Sequence, residues 1–170
     1  MNQAELRQLL SDFAADRLAL VERHEAAARA VSHYDFNNAY QYVINREEVQ
    51  LGWLQAALAE FKAPLPPPSS VITAPEAPPP GKGKTTAGSA FRLILQDDAQ
   101  LLSRFVARWK PRVETMSQAR HRLMLDVILG ESREHLSIFE QAAEGVEDVL
   151  GRRTGGVPRR GNVLPVRWLE

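Results

Sequence analysis

The sequence predicts an all-α protein, a four-helix bundle, on three observations. Four segments carry apolar residues at three- and four-residue spacing, the period of a helix with one buried face. Short breaks join these segments into two pairs. Between the pairs lies a stretch so rich in proline that neither helix nor central strand persists through it.

The first helix is expected from about Ala4 to Val31, where Leu6, Leu10, Phe13, Leu20, Ala27 and Val31 trace one stripe and Glu5, Arg7, Asp12 and Arg23 take other faces. His24 falls on or beside that stripe, flanked by Glu22 and Glu25. Ser32 to Asp35 make a short break, with Ser32 or Asp35 as the cap of the next helix. The second helix is expected from about Phe36 to Phe61, on Tyr40, Val43, Ile44, Leu51, Leu54, Leu58 and Phe61. Glu47 and Gln50 stand in its apolar stripe, Glu48 leans away and Arg46 faces solvent. So short a connection between such long helices implies an antiparallel hairpin.

From about 62 to 88 the character changes: eight prolines fall between Pro64 and Pro80, followed by Gly81-Lys82-Gly83-Lys84-Thr85-Thr86. A polyproline chain advances about 3.1 Å per residue, so a linker of this length reaches past a helix of about 40 Å. The segment therefore reads as a crossover that carries the chain from one end of a hairpin back to the other. Its glycine-lysine run is no phosphate loop, because it lacks the first glycine at the required spacing and comes after prolines instead of a strand. Reading the prolines as a ligand for a proline-recognising domain is the competing view.

The third helix is expected from Ser89 to about Met116, with Phe91, Leu95, Leu102, Phe105, Trp109, Val113 and Met116 in register and Asp98 among them. Pro111 calls for a kink or an early stop. The fourth runs from about Gln118, capped by Ser117, to Val149, with Gly151 as its stop signal. Its stripe is expected to hold Leu123, Met124, Val127, Ile128, Leu136, Ile138, Phe139, Ala142 and Val146. Residues 1–151 thus form one domain, and 152–170 a tail whose apolar end, with Trp168, docks on the bundle or on a neighbour. Trp53 and Trp109 read as core or interface aromatics.

Composition narrows the classes. The 170 residues suffice for one full hydrophobic core. Acidic and basic residues balance at 21 each, which leaves out the basic excess of a bulk nucleic-acid binder. There is no cysteine, so disulfides, thiolate metal ligands and cysteine nucleophiles are excluded and a reducing compartment fits. No run approaches the roughly 18 apolar residues of a membrane span, and the first residues do not read as a signal peptide, so the expected location is cytoplasmic.

The chemistry concentrates in the stretch Val127–Phe139. On a helix Val127, Glu131, Glu134, His135 and Ile138 share one face, which sets two carboxylates and an imidazole where leucines are expected. Burying such groups unpaired costs several kcal/mol, so each needs a partner, a metal or a route to water. The other helices each offer inward polar groups near their middles: His24 with Glu22 or Glu25, Glu47 with Gln50, and Asp98. Folding the hairpins about residues 34 and 117 brings these to similar heights.

With this constellation and its long crossover, the chain resembles the ferritin-like superfamily over roughly residues 4 to 149. The resemblance implies an up-down-down-up bundle, iron or manganese in its core, and iron handling or oxygen-dependent oxidation. In the di-metal members, helices one and three supply a carboxylate each, and helices two and four a Glu-x-x-His pair each. Carried onto this chain, the ligand set is Glu22, Glu25, Glu47, Gln50, Asp98, Glu131, Glu134 and His135. Gln50 stands where the family has histidine, Asp98 is one methylene shorter than glutamate, and His135 comes one residue late after Glu131-Ser132-Arg133-Glu134, which points to an asymmetric or single-metal site. The alternative is a buried polar network in a metal-free interaction module, with Arg17, Arg133 or Arg120 as counter-charge. Bundles of the superfamily commonly dimerise, so the resemblance admits a homodimer or another protein partner, although no exposed stripe in the sequence marks the surface.

Overall fold

The computed structural model describes residues 2–70, 73, 75 and 91–151. Most of the crossover beyond residue 70 and the whole expected tail, 152–170, lie outside the described residues. Among the described residues the chain is all-helical, with α1 at Gln3–Ala30, α2 at Tyr34–Ala59, α3 at Arg92–Glu114 and α4 at Ala119–Ala143. None of these helices is long and apolar enough to cross a membrane.

Helix ends follow local chemistry. At the start of α1 the Asn2 side chain accepts from the Glu5 N–H and the Glu5 carboxylate accepts from the Asn2 N–H, a capping box that satisfies two otherwise unpaired donors. Neither Ser32 nor Asp35 caps α2; its N-cap is His33, and Asp35 lies in the first turn. The turn is instead held by Asn37, whose side-chain amide donates to the carbonyls of Ala28 and Val31 and so closes the C-terminal end of α1. Helix α3 runs three residues past Pro111, which sits on an exposed face where the N–H it lacks is not missed by the core.

The end of α4 departs from expectation. The helix stops at Ala143, six residues before the expected Val149, and Gly145 is the reason. Gly145 takes φ +94°, its N–H donates to the Ala142 carbonyl, and the Val146 N–H reaches back to the Gln141 carbonyl. That pair of bonds is a Schellman closure, which terminates a helix wherever a glycine can adopt the left-handed conformation. Gly151 also has positive φ, but the helix has already ended.

The two sequence-adjacent pairs, α1 with α2 and α3 with α4, pack as hairpins, and α1 also lies beside α3 and α2 beside α4. Helices α1 and α3 run antiparallel, because Arg23 meets Asp98 in the first part of α3 whereas Asp16, two turns earlier in α1, meets Trp109 near the end of α3. Helices α2 and α4 are antiparallel too, with Tyr40 against Phe139 and Glu60 against Arg120. Trp109, Phe13, Phe36, Tyr40, Phe139 and a layer of leucines are fully buried at the centre.

The expected stripe of α4 needs a correction of phase. Val127 and Leu123 are exposed, and Leu125, Ile128, Ser132, His135 and Phe139 face inward. The buried stripe contains a serine and a histidine, so hydrophobic spacing alone points about one residue to the side. Gly145→Ala is expected to lower stability by on the order of 1 kcal/mol, because alanine resists positive φ, with urea unfolding as the measurement; an unchanged midpoint contradicts the assigned helix stop.

Candidate functional site

Arg17 occupies the centre of the bundle. It extends the α1 stripe Leu6, Leu10, Phe13 by one more helical step, so the packing that buries those residues carries it inside with no exposure. A guanidinium there must be met by acceptors on other helices. Its Nη1 donates to Glu47 Oε1 on α2 at 2.7 Å, its Nη2 donates to Ser132 Oγ on α4, and its carbon lies 4.4 Å from the ring centroid of Phe105 on α3. Ser132 passes its own proton to the Ile128 carbonyl at 2.7 Å. One side chain therefore touches all three other helices.

Glu47 is the second member. Its other oxygen, Oε2, lies 2.8 Å from His24 Nδ1, and His135 Nδ1 stands 3.9 Å from Oε1, too far for a direct hydrogen bond. Burial pushes the Glu47 carboxyl up, but His24, Arg17 and His135 outweigh it and hold the group below the usual carboxylate range. A carboxylate only accepts, so His24 presents its proton on Nδ1. Burial lowers the Arg17 pKa, with Glu47 opposing the shift. Burial also lowers His135 to about 4, against the raising influence of Glu47, so its imidazole is neutral near pH 7.

Two further carboxylates are closed in the same manner. Asp98 accepts from Arg23 Nε at 2.5 Å through one oxygen and from the Tyr40 hydroxyl at 2.5 Å through the other. Burial and the neighbouring Asp98 raise the Tyr40 phenol well above its ordinary range, which keeps it a donor. Glu131, half-buried at the α2/α4 seam, accepts from Arg46 through Oε1 and from Gln50 Nε2 at 2.5 Å through Oε2. Burial raises Glu131, yet the bonds from Arg46 and Gln50 bring it below its ordinary value.

The expected ligand set thus divides. Glu47, Gln50, Asp98 and His135 are buried in the core, and Glu131 sits at its edge. Glu22 and Glu134 point to solvent, and Glu25 lies 3.8 Å from Arg29 on its own helix. The site is completed by Arg23, Tyr40, Arg46 and Ser132, polar residues that the sequence pattern does not mark as part of it. Arg46 covers Glu131 instead of facing open solvent. Of the expected counter-charges Arg17 serves the core, Arg133 is exposed, and Arg120 pairs with Glu60 at the surface.

These residues do not fit a di-metal centre. Each oxygen of Glu47, Asp98 and Glu131 already accepts from a protein donor, and a guanidinium holds the position beside Glu47 where a cation would repel it. Among the described residues no three histidine, aspartate or glutamate side chains gather as a group able to hold a metal ion. Arg17 Nε, His24 Nε2, Gln50 Oε1 and His135 Nδ1 are buried without protein partners; ordered water is the ordinary partner of such atoms. Compared with known proteins, the chain matches no family model, no curated protein and no solved structure.

The core's pH dependence rests on His135. Its folded pKa of about 4 lies below the ordinary 6.5, so the unfolded chain takes up the proton first as pH falls. Stability from this residue is complete above pH 6.5 and is lost towards pH 4, by on the order of 3 kcal/mol in total. Urea unfolding of wild type and His135→Gln at pH 7, 6 and 5 is expected to show wild type losing stability faster than the variant. Parallel losses contradict the buried neutral imidazole.

Proposed function

We propose that the chain is a metal-free bundle of the ferritin-like kind that serves as an interaction module, with its core ion pairs standing where a metal centre would be. The observation that carries this reading is that both oxygens of Glu47 accept from protein donors, Arg17 and His24, with the Arg17 guanidinium as its buried counter-charge. Arginine supplies a fixed positive charge that holds the four helices together, which is the structural service a bound metal gives a carboxylate core. The up-down-down-up order is supported by α2 and α3 both running antiparallel to α1, and by the segment after α2 lying along α1: the Ser69 N–H donates to the Ala15 carbonyl, and Arg23 Nη1 donates to the Thr73 carbonyl at 2.8 Å. A cytoplasmic setting is compatible with the absence of cysteine. In this reading the surfaces act, including the proline-rich crossover and the tail, and the core only holds them in place.

The opposing reading is iron or manganese at Glu47, favoured by the two imidazole nitrogens near it that have no protein partner. Metal analysis of protein purified from cells supplemented with iron and manganese separates the two. The expected result is background metal in wild type and in Glu47→Ala and Glu131→Ala alike. Stoichiometric metal in wild type that is lost in Glu47→Ala overturns the metal-free reading.

A further inference from the structure

The first part of the crossover is a preformed ridge. It reads Ala63-Pro64-Leu65-Pro66-Pro67-Pro68, and proline chemistry leaves this backbone little choice. Each pyrrolidine ring fixes φ at about −65°, and a residue that precedes a proline is turned away from the helical region towards extended ψ. Pro66 and Pro67 are under both constraints, Ala63 and Leu65 under the second. The structure accordingly has neither helix nor turn over residues 63–68. Such a segment is a polyproline II strand, with about three residues per turn.

The bundle holds this strand at both ends and turns one edge outward. Lys62 takes φ +53°, and the Ala63 N–H donates to the Leu58 carbonyl at 3.1 Å, which closes α2. At the other end the Ser69 N–H donates to the Ala15 carbonyl on α1 at 3.0 Å. Between these anchors Ala63 and Leu65 pack against the core, and Pro66 and Pro68 are half-buried. Pro64 and Pro67 are exposed, and because they are one turn of the strand apart they stand in a single row. Four of the five residues from Pro64 to Pro68 have no N–H, and no described residue donates to the carbonyls of this stretch.

We infer that the Pro64–Pro67 ridge is the docking site for a protein domain that takes proline into a groove of aromatic side chains with an acidic rim. This rests on the interaction-module reading and names the partner's chemistry. Prolines at i and i+3 of a polyproline strand seat between aromatic rings, and tyrosine hydroxyls or tryptophan N–H groups of the groove donate to the carbonyls between them. Because the bundle already holds the strand extended, little conformational entropy is left to lose on binding. Lys62 selects the acidic rim. It is exposed immediately before the ridge, and Glu60, the nearest acid in sequence, is engaged by Arg120 and His121. Its ammonium is thus available to a carboxylate of the partner, which fixes the direction in which the ridge lies in the groove.

Titration calorimetry of the full chain against a panel of purified SH3 domains with acidic groove rims tests this. Wild type is expected to bind at least one of them at one-to-one stoichiometry. On that domain Pro64→Ala and Pro67→Ala are each expected to weaken binding by about tenfold, the size of a hot-spot truncation. Lys62→Glu is expected to weaken it by about threefold, and by less at high salt. Pro111→Ala, at an exposed proline inside α3, is expected to bind as wild type does, and all four variants to keep the wild-type circular dichroism. A wild type that no domain of the panel binds overturns the inference. So does binding that survives both Pro64→Ala and Pro67→Ala, which would make the segment a stiff spacer only, and so does equal loss in Pro111→Ala. Stoichiometric metal in a chain that docks through Pro64 and Pro67 overturns only the metal-free reading, whereas a metal-free chain that docks in no groove overturns only this one.

Discussion

The Arg17–Glu47 ion pair is the constraint on which the rest of the structure depends. Both side chains are fully buried, and a charge left alone at such a depth costs several kcal/mol. Each group must therefore find its partner for the helices to close. Because Arg17 comes from α1, Glu47 from α2, Ser132 from α4 and the stacking ring of Phe105 from α3, satisfying one guanidinium sets the height of every helix against the others. His24 then fixes the remaining oxygen of Glu47, and its ring packs on Phe139, where Tyr40 and the Asp98 layer begin. Apolar packing supplies most of the stability of such a bundle, but it tolerates sliding by a turn. The polar layers do not, since a slip of one turn would leave Glu47 or Asp98 without its base.

Much of this is legible in the sequence. Four apolar stripes of helical period mark the four helices, and the short breaks near residues 32 and 117 mark the two hairpins. Glu47, Gln50 and Asp98 are recognisable as inward because each replaces an apolar residue in a stripe, and all three are buried. Less legible is the phase of α4: His135 is buried as its position suggests, but Ser132 is buried beside it while Val127, Leu123 and Glu134 are exposed. Hydrophobic spacing cannot reveal a polar residue, such as Ser132, that is buried for its hydrogen bonds. The end of α4 is displaced for a different reason: Gly145 and Gly151 are equivalent stop signals by residue type, and only the closing bonds from Gly145 and Val146 tell them apart.

The inward polar residues engage one another, so the core is an electrostatic clamp in which both oxygens of Glu47, of Asp98 and of Glu131 accept from protein donors. A core whose charges are closed internally describes a chain built to hold its shape.

The central claim is that Arg17 and Glu47 stabilise the fold as a pair, and a double-mutant cycle measured by urea unfolding tests it most directly. Arg17→Met and Glu47→Met alone are each expected to cost about 3–5 kcal/mol, since each strands a buried charge. The double variant is expected to cost less than the sum by about 2–3 kcal/mol, the upper range for residues in contact. Additive losses would show that the two charges are not each other's partners, and the account built on them would fail.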